Sequence, residues 1–379
     1  MPRKILLVSQ PGDAGVAHVV ANHVEWAVER GWQPTVACDP ESRLAELAVE
    51  RGGRVEPWKA KRSPASGVHS EMRALRGILE RTSPDVVHLH SSKAGLVGRL
   101  LIRGSRPTVF QPHAWSFQAS RGMSKALAVR WERWAQRWTD VTVCVSRAEQ
   151  AAGTQFGVEA TTAMVPNSVD SARFHPLPGN ADRAALRAEM GFAPDASLAV
   201  CVGRLCEQKG QDLLLAAWPR VLDAVPSAQL VLVGDGPKRD QLESQRVANV
   251  VFAGASPHSA RWFQLADLAV VPSRWEGQAL VILEAMSCAV PIVASDIAPN
   301  AETLPLNVGA TVSADQPEIL AAAIVERLQT DAHERVTEGL SGRKHVQEFH
   351  DRAQLADKLT EVWEAVADAH RVSPIHLAR

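Results

Sequence analysis

Short apolar runs alternate along this chain with longer stretches in which apolar positions recur at helical spacing. Residues 4–9 form the first run, a helical pattern follows over about 16–30, and a second run at 34–38 leads to a helix opening at Ser42. This is the beat of parallel β-α-β units. It continues through apolar runs at 85–90, 107–111, 141–145 and 162–165, so a doubly wound sheet is expected across roughly the first 170 residues. Over 166–178 the pattern lapses into a Pro-, Asn- and Ser-containing stretch, which reads as an interdomain connection. A second series then begins, with strands predicted at 198–202, 229–233, 250–253, 268–271 and 291–294 and helices between them. Helical segments at 316–328 and 354–369 close the chain, and its last eight or so residues are expected to fray. Two such sheets in series predict a cleft in which ligands sit at the carboxyl ends of strands.

Charge and composition narrow the classes of function. Among 379 residues, 41 Lys and Arg face 42 Asp and Glu. Such a chain has no global field to hold a nucleic acid backbone or an anionic bilayer, so any phosphate must be caught locally. Five cysteines, Cys38, Cys144, Cys201, Cys206 and Cys288, make no C-x-x-C pair and read as small buried hydrophobes in a reducing cytosol. The apolar run at residues 4–8 is shorter than the roughly 7–15 residues of a signal-peptide core, and no run approaches the ~18 that would cross a bilayer. A cytoplasmic protein, at most peripheral to a membrane, is expected.

Two basic features bear on that last point. Leu127, Trp131, Trp134 and Trp138 follow i, i+4, i+7, i+11 spacing, with Arg130, Arg133 and Arg137 along an adjacent face. The plain account is a Trp stripe packed on the first sheet and arginines that are solvated or paired with carboxylates; a membrane surface is the rival account. A second cluster, Arg51, Arg54, Lys59, Lys61 and Arg62, lies on a connecting segment and reads as a solvated face that could attract an anionic acceptor or lipid.

Candidate chemistry gathers at two strand ends. Gly203-Arg204-Leu205-Cys206-Glu207-Gln208-Lys209-Gly210 leaves an apolar strand and leads into a helix near Gln211. Arg204 offers a planar fork and Lys209 a mobile point charge for a diphosphate, and the flanking glycines permit close backbone approach. About 70 residues on, the run 268–273 ends in Arg274-Trp275-Glu276-Gly277-Gln278-Ala279-Leu280-Val281-Ile282-Leu283-Glu284-Ala285-Met286. Glu276 falls in the loop, and a helix predicted to begin near Gln278 or Ala279 points free N–H groups at an anion. Glu284 lies further along among apolar neighbours and should be paired with hydroxyl or amide donors.

Glu276-x7-Glu284 within Pro-Ser-x-x-Glu-Gly-x-x-Leu-x-x-Leu-Glu-Ala-Met, preceded by Gly-Arg-Leu-x-x-x-Lys-Gly and by Val233-Gly-Asp-Gly-Pro237, resembles the retaining glycosyltransferases of family four, which have the GT-B fold. His113 in Gln-Pro-His-Ala-Trp-Ser-Phe, the segments 85–90 and 143–146, and Pro166-Asn167-Ser168-Val169-Asp170 extend the likeness to nearly the whole chain. The resemblance implies an α/β fold of two Rossmann-like domains facing across a cleft. Residues 1–175 would form an acceptor-side domain and 176–350 a nucleotide-sugar domain, with a helix in 351–379 returning to the first. It further implies that Arg204 and Lys209 hold the donor diphosphate, Glu284 binds ribose hydroxyls, Glu276 lies by the transferred sugar, and His113 contacts that sugar. Gly15 would let the first helix approach donor and acceptor, and Gly234 would shape a loop near the nucleotide. Gln278, Ala279 and Leu280 would meet the donor at the helix start.

Three departures from the family pattern matter. The first-loop glycines are spread as Gly12 and Gly15, which bears on acceptor geometry. The connector has Asn167-Ser168 where Asn-Gly is common, so a positive φ at Ser168 would be mildly strained. Gln278-Ala279 replaces Phe-Gly, and Gln278 is placed to set which sugar fits. A nicotinamide dehydrogenase lacks support, because neither Gly12-Asp-Ala-Gly15 nor Gly234-Asp-Gly236 completes G-x-G-x-x-G despite Asp39 at a strand end. An epimerase or phosphorylase on the same architecture, or a non-catalytic sugar-binding protein, would also fit two such domains. No Asp-x-Asp occurs, so transfer without a metal or other cofactor is expected, from a nucleotide-sugar donor to a hydroxyl acceptor.

Overall fold

The computed structural model describes residues 2–61, 63 and 66–372. Its first sheet comprises β1 (Lys4–Ser9), β2 (Gln33–Cys38), β3 (Arg54–Pro57), β4 (Val86–His90), β5 (Thr108–Gln111), β6 (Val141–Cys144) and β7 (Thr162–Met164). Their order is β3-β2-β1-β4-β5-β6-β7, every pair parallel. The second sheet comprises β8 (Ser197–Val202), β9 (Ala228–Val233), β10 (Val250–Gly254), β11 (Leu268–Val271), β12 (Ile292–Ser295) and β13 (Gly309–Val312). It is parallel throughout, in the order β10-β9-β8-β11-β12-β13.

The central strands are apolar at successive positions because both faces of each sheet are covered. Alternation across the pleat sends Ile5 and Leu7 of β1 into one core cluster and Leu6 and Val8 into another. In β8, Leu198 and Val200 are divided in the same way from Ala199 and Cys201. All five cysteines are buried and unbridged. Strand order reverses between β1 and β4 and between β8 and β11, which opens a crevice at the carboxyl ends of those strands in each sheet.

The chain forms two compact units. One holds the sequence up to Asn167 together with the segment from Ala353 onward, and the other holds Ser168–Arg352. The last helix, Arg352–Val372, thus belongs to the first unit, where Leu355, Leu359, Trp363 and Val366 enter the cluster of Ile5, Leu7 and Val24. Arg30 reaches Asp357 at 2.7 Å, and Arg3 reaches Asp368 at 2.7 Å.

Several sequence expectations change. The edge strands β3 and β13 and the helix Ala332–Phe349 were not anticipated, and Arg54 stands on β3 rather than on a connection. The basic cluster around it is partly neutralised, with Lys59 2.7 Å from Glu41 and Arg51 3.3 Å from Glu25. Arg62 and residues 373–379, where fraying is expected, lie outside the described residues. Ser168 has no positive φ, so it carries no left-handed strain.

The tryptophan helix also departs from the plain account. Trp131, Trp134 and Trp138 lie against one another, with Trp134 exposed, while Glu132 and Ala135 are the residues the Gly122–Ala135 helix fully buries. Among the described residues no carboxylate pairs with Arg130, Arg133 or Arg137, and no helix is long and apolar enough to cross a membrane.

Candidate active site

In the second unit the two motif loops leave adjacent strands, β8 and β11, at the point where strand order reverses. The sequence separates them by almost 70 residues, but the sheet joins them. Arg274 N–H donates to Gln208 O at 2.7 Å, and the Arg274 guanidinium grips Asp212 through both nitrogens at 2.8 and 2.6 Å. Gln208 Nε2 donates to Trp275 O at 3.0 Å, and Lys209 Nζ to Glu276 Oε1 at 2.6 Å. The Gly203–Gly210 loop and the loop carrying Glu276 are therefore joined through backbone and side-chain hydrogen bonds.

Two glycines allow this closeness. Gly210 has φ +66°, and a Cβ there would lie 2.0 Å from Pro272 O; Gly234 has φ +144°, and a Cβ there would lie 2.0 Å from Gly203 O. The loop after β9, holding Gly234 and Gly236, packs in this way against the loop after β8, with Leu205 N–H donating to Asp235 O at 3.0 Å.

The carboxylates of the motif differ in surroundings. Glu276 is buried and ion-paired with Lys209, and the ion pair raises the Lys209 ammonium despite its desolvation. Glu284, on the helix Leu280–Ser287, receives no hydrogen bond from any described residue, so no hydroxyl or amide of the described chain occupies its acceptor sites. Burial lifts its pKa to about 7, against the opposing pull of Arg173 and Lys209. The helix starts at Leu280 with Ala279 as its N-cap, slightly later than its sequence suggests. Gln278 Nε2 lies 3.5 Å from Thr303 Oγ1. Arg204 projects from the loop with no carboxylate partner among the described residues, although its carbonyl accepts from Gln211 Nε2 at 3.1 Å.

In the first unit Gly15 lies in the first turn of the helix Ala14–Glu29, which follows β1, the switch-point strand. His113 follows β5. Its backbone and that of Ala114 both have left-handed φ, 54° and 82°, a conformation that non-glycine residues hold only when their surroundings enforce it. Two residues that the sequence did not single out supply the enforcement. Glu149 Oε1 accepts from Ala114 N–H at 2.6 Å while Oε2 accepts from Val145 N–H at 2.9 Å, so one buried carboxylate ties the turn to the end of β6. Burial nonetheless raises Glu149 to about 7, partly offset by those amides. On the ring side, His90 Nδ1 lies 3.0 Å from His113 Nε2. Burial depresses His113 to about 3, so it is a neutral imidazole with Nε2 committed to His90.

Behind His90 stand His88 and His23, whose pKa values burial also lowers well below the ordinary range. The three offer ring nitrogens within 4.8 Å of one another, the only such potential metal-ligating group among the described residues. The chemistry does not suit a metal. Trp363 Nε1 donates to His88 Nδ1 at 3.3 Å, so a neutral His88 keeps its proton on Nε2. A metal on Nδ1 would displace the indole, and one on Nε2 would force N–H against N–H. The rings of His23 and His88 are also stacked, only 11° from parallel, whereas ligand nitrogens must aim their ring planes at a shared ion.

Known proteins share both the sequence pattern and the architecture. Residues 14–173 match the family described as Glycosyltransferase Family 4, and residues 196–330 match Glycosyl transferases group 1. The structure resembles a sucrose-phosphate synthase from Thermosynechococcus elongatus with a TM-score of 0.82 at 21% identity, covering 97% of this chain and 100% of that one. The fold is GT-B, a pair of Rossmann-like domains. The chain belongs to glycosyltransferase family four.

Two curated relatives share part of it. A GDP-mannose-dependent monoacylated alpha-(1-6)-phosphatidylinositol monomannoside mannosyltransferase of Corynebacterium glutamicum is 32% identical over 55% of this chain and 57% of its own length. A UDP-Gal:alpha-D-GlcNAc-diphosphoundecaprenol alpha-1,3-galactosyltransferase of Escherichia coli is 27% identical over 60% and 62%. The match thus spans little more than half of each relative.

Proposed function

We propose that this chain is a retaining, metal-independent glycosyltransferase that moves a sugar from a nucleoside diphosphate sugar to a hydroxyl acceptor. The observation that carries the reading is the joining of the two charged loops at the β8/β11 switch point, with Lys209 and Glu276 2.6 Å apart. As the nucleoside diphosphate departs, negative charge grows on its oxygens and positive charge on the anomeric carbon. Arg204, which no carboxylate among the described residues neutralises, and Lys209 are the groups assigned to the leaving diphosphate. The free amides of the Leu280–Ser287 helix assist from Ala279 and Leu280. When Lys209 turns to phosphate, Glu276 is released to face the sugar and its developing cation.

Glu284 is assigned to the ribose, Gln278 to sugar choice, Gly15 and Gly234 to close backbone approach, and neutral His113 to a hydroxyl of the transferred sugar. A group with a pKa of about 3 is no general base for that step once it is held neutral by burial and tied to His90. A donor phosphate oxygen therefore takes the acceptor's proton on the face from which it leaves, and configuration is retained. Two protein cations replace the usual metal.

Acceptors of three classes suit this chemistry: a glycan, a lipid-linked saccharide or a natural-product intermediate. The names of both relatives include a lipid, which favours the second. Cytoplasmic placement with peripheral contact at a membrane belongs to the same proposal. Transfer assayed with excess EDTA and then with added magnesium or manganese should be unchanged, and Arg204→Ala should slow it about 100-fold or more, the effect of losing one transition-state contact. Loss of activity restored only by metal would overturn the metal-free mechanism. Nucleotide-sugar binding with neither transfer nor slow donor hydrolysis would instead indicate a binding protein.

A further inference from the structure

The outer face of the Gly122–Ala135 helix combines features that a solvent-facing helix seldom has together. Met123, Leu127 and Trp134 are 81, 64 and 41% exposed, and at i, i+4 and i+11 they form one stripe. Arg130 lies on that stripe, Arg133 and Arg137 run beside it, and Lys125 lies further round. The helix has one acid, Glu132, and it points inward: it is buried, bonded to Arg99 Nη2 at 2.8 Å and to Ser116 Oγ at 3.0 Å. Every charge this helix shows to solvent is therefore positive. Against its side lies a pocket of about 680 Å³ lined by Gly122, Lys125, Ala126, Val129, Arg130, Arg133 and Phe156, with no acid in the lining. Three cations edge it over an apolar floor, and Lys125 Nζ sits 4.7 Å from the Phe156 ring.

We infer that this face docks the protein on an anionic lipid bilayer, with the Met123-Leu127-Trp134 stripe in the interfacial region and a lipid phosphate in the Lys125-Arg130-Arg133 pocket. Charge complementarity selects the occupant. A nucleic acid would answer the cations but leave the apolar stripe in water, whereas a bilayer of acidic phospholipids meets both. The aliphatic stems of the arginines can lie along the apolar stripe while their heads reach the phosphates, and Trp134 has an apolar body with a polar N–H suited to the same depth. The near-neutral chain as a whole supplies no global field, so attraction to an anionic surface must come from a local face such as this one. The inference deepens the proposed function by naming the surface from which a lipid-linked acceptor would be reached. It does not need turnover, so binding and catalysis can fail separately.

The test is sedimentation of the full chain with vesicles of phosphatidylcholine alone or mixed with phosphatidylglycerol, at low and high salt. Wild type should bind the mixed vesicles, release them as salt rises, and ignore phosphatidylcholine. Each basic residue near an anionic surface contributes about fivefold. Arg130→Glu with Arg133→Glu removes two attractions and adds two repulsions, so partitioning should fall several-hundred-fold. Met123→Ser with Leu127→Ser should weaken binding about tenfold or more while leaving its salt dependence intact. These positions are exposed, and circular dichroism melts matching wild type would show that both variants fold. Wild type that ignores anionic vesicles at low salt, variants that bind as wild type does, or binding of single-stranded DNA in preference to vesicles would each overturn the inference.

Discussion

Glu284→Gln separates the ribose contact from every other part of donor recognition, and pH reads it a second time. The carboxyl is lifted to about 7 by burial and receives no hydrogen bond from any described residue. A group with that pKa is about nine-tenths ionised at pH 8 and about one-tenth at pH 6. Since the ionised form is the strong acceptor for a ribose hydroxyl, wild-type affinity for a ribonucleoside diphosphate should fall about tenfold between pH 8 and pH 6. At pH 8 the substitution removes a hydrogen bond to a charged group, about 1.5–3 kcal/mol or roughly 10- to 150-fold in affinity. Isothermal calorimetry with the ribonucleotide and its 2'-deoxy analogue at both pH values gives the result. The analogue corrects for titration of the nucleotide's own phosphate, because both ligands share it. The variant should lose the ribose preference and the excess pH dependence together. Stability supplies an independent sign. A raised carboxyl pKa means the folded state holds an extra proton between about 4.5 and 7, so wild-type stability declines as pH rises through that window, and the variant should flatten the decline. Equal losses for ribose and deoxyribose ligands, with the pH trend intact, would refute the assignment.

Glu276→Gln should lower kcat about tenfold or more while nucleoside diphosphate affinity stays level or tightens, because Lys209 no longer shares its charge with a carboxylate 2.6 Å away; weaker nucleotide binding in calorimetry would contradict the release of Glu276 from Lys209. Glu149→Gln turns an amide NH2 toward one of two backbone N–H donors, which costs about 1–3 kcal/mol and should lower Tm by several degrees; an unchanged melt would mean that the carboxylate does not hold the His113 turn. Gly234→Ala places a Cβ 2.0 Å from Gly203 O, so both the urea midpoint and donor affinity should drop, and retention of both would show that the loop after β9 can move aside.

What the sequence revealed follows from where each residue is buried. β1, β8 and β11 are central and covered on both faces, so they stand out as unbroken apolar runs. β3 and β13 lie at sheet edges, where Arg54 and Glu56 of one strand and Thr311 of the other are tolerated, and their short runs carry too little pattern. Both motif loops were legible as strand-to-helix turns. Their union was not, because it depends on β8 lying beside β11, a long-range pairing that local spacing does not encode. His90 was hidden inside an apolar strand run and looked like part of it. Glu149 had left a trace. Ser146-Arg147-Ala148-Glu149 has the form of a capping box, and Ser146 Oγ does accept from Glu149 N–H at 3.0 Å. The carboxylate, however, serves Val145 and Ala114, and the second of these lies across the fold. The tryptophan helix misled for a different reason: a helical stripe of large apolar residues is ordinarily core, and only exposure could show otherwise.

The return of the last helix to the first unit has a consequence for synthesis. A ribosome delivers residues 1–167 first, yet the core they form also needs Leu359 and Trp363, which emerge only after the roughly 185 residues of Ser168–Arg352. At about 5–20 residues per second that is a wait of roughly 10–40 s. Until then the first unit lacks the side chains that cover this part of its core in the folded chain, Trp363 against His88 among them. The second unit has no such wait, because its sequence is continuous. Vectorial folding can therefore run opposite to the order of synthesis: the unit translated second can mature first, and the first closes only when the helix Arg352–Val372 arrives.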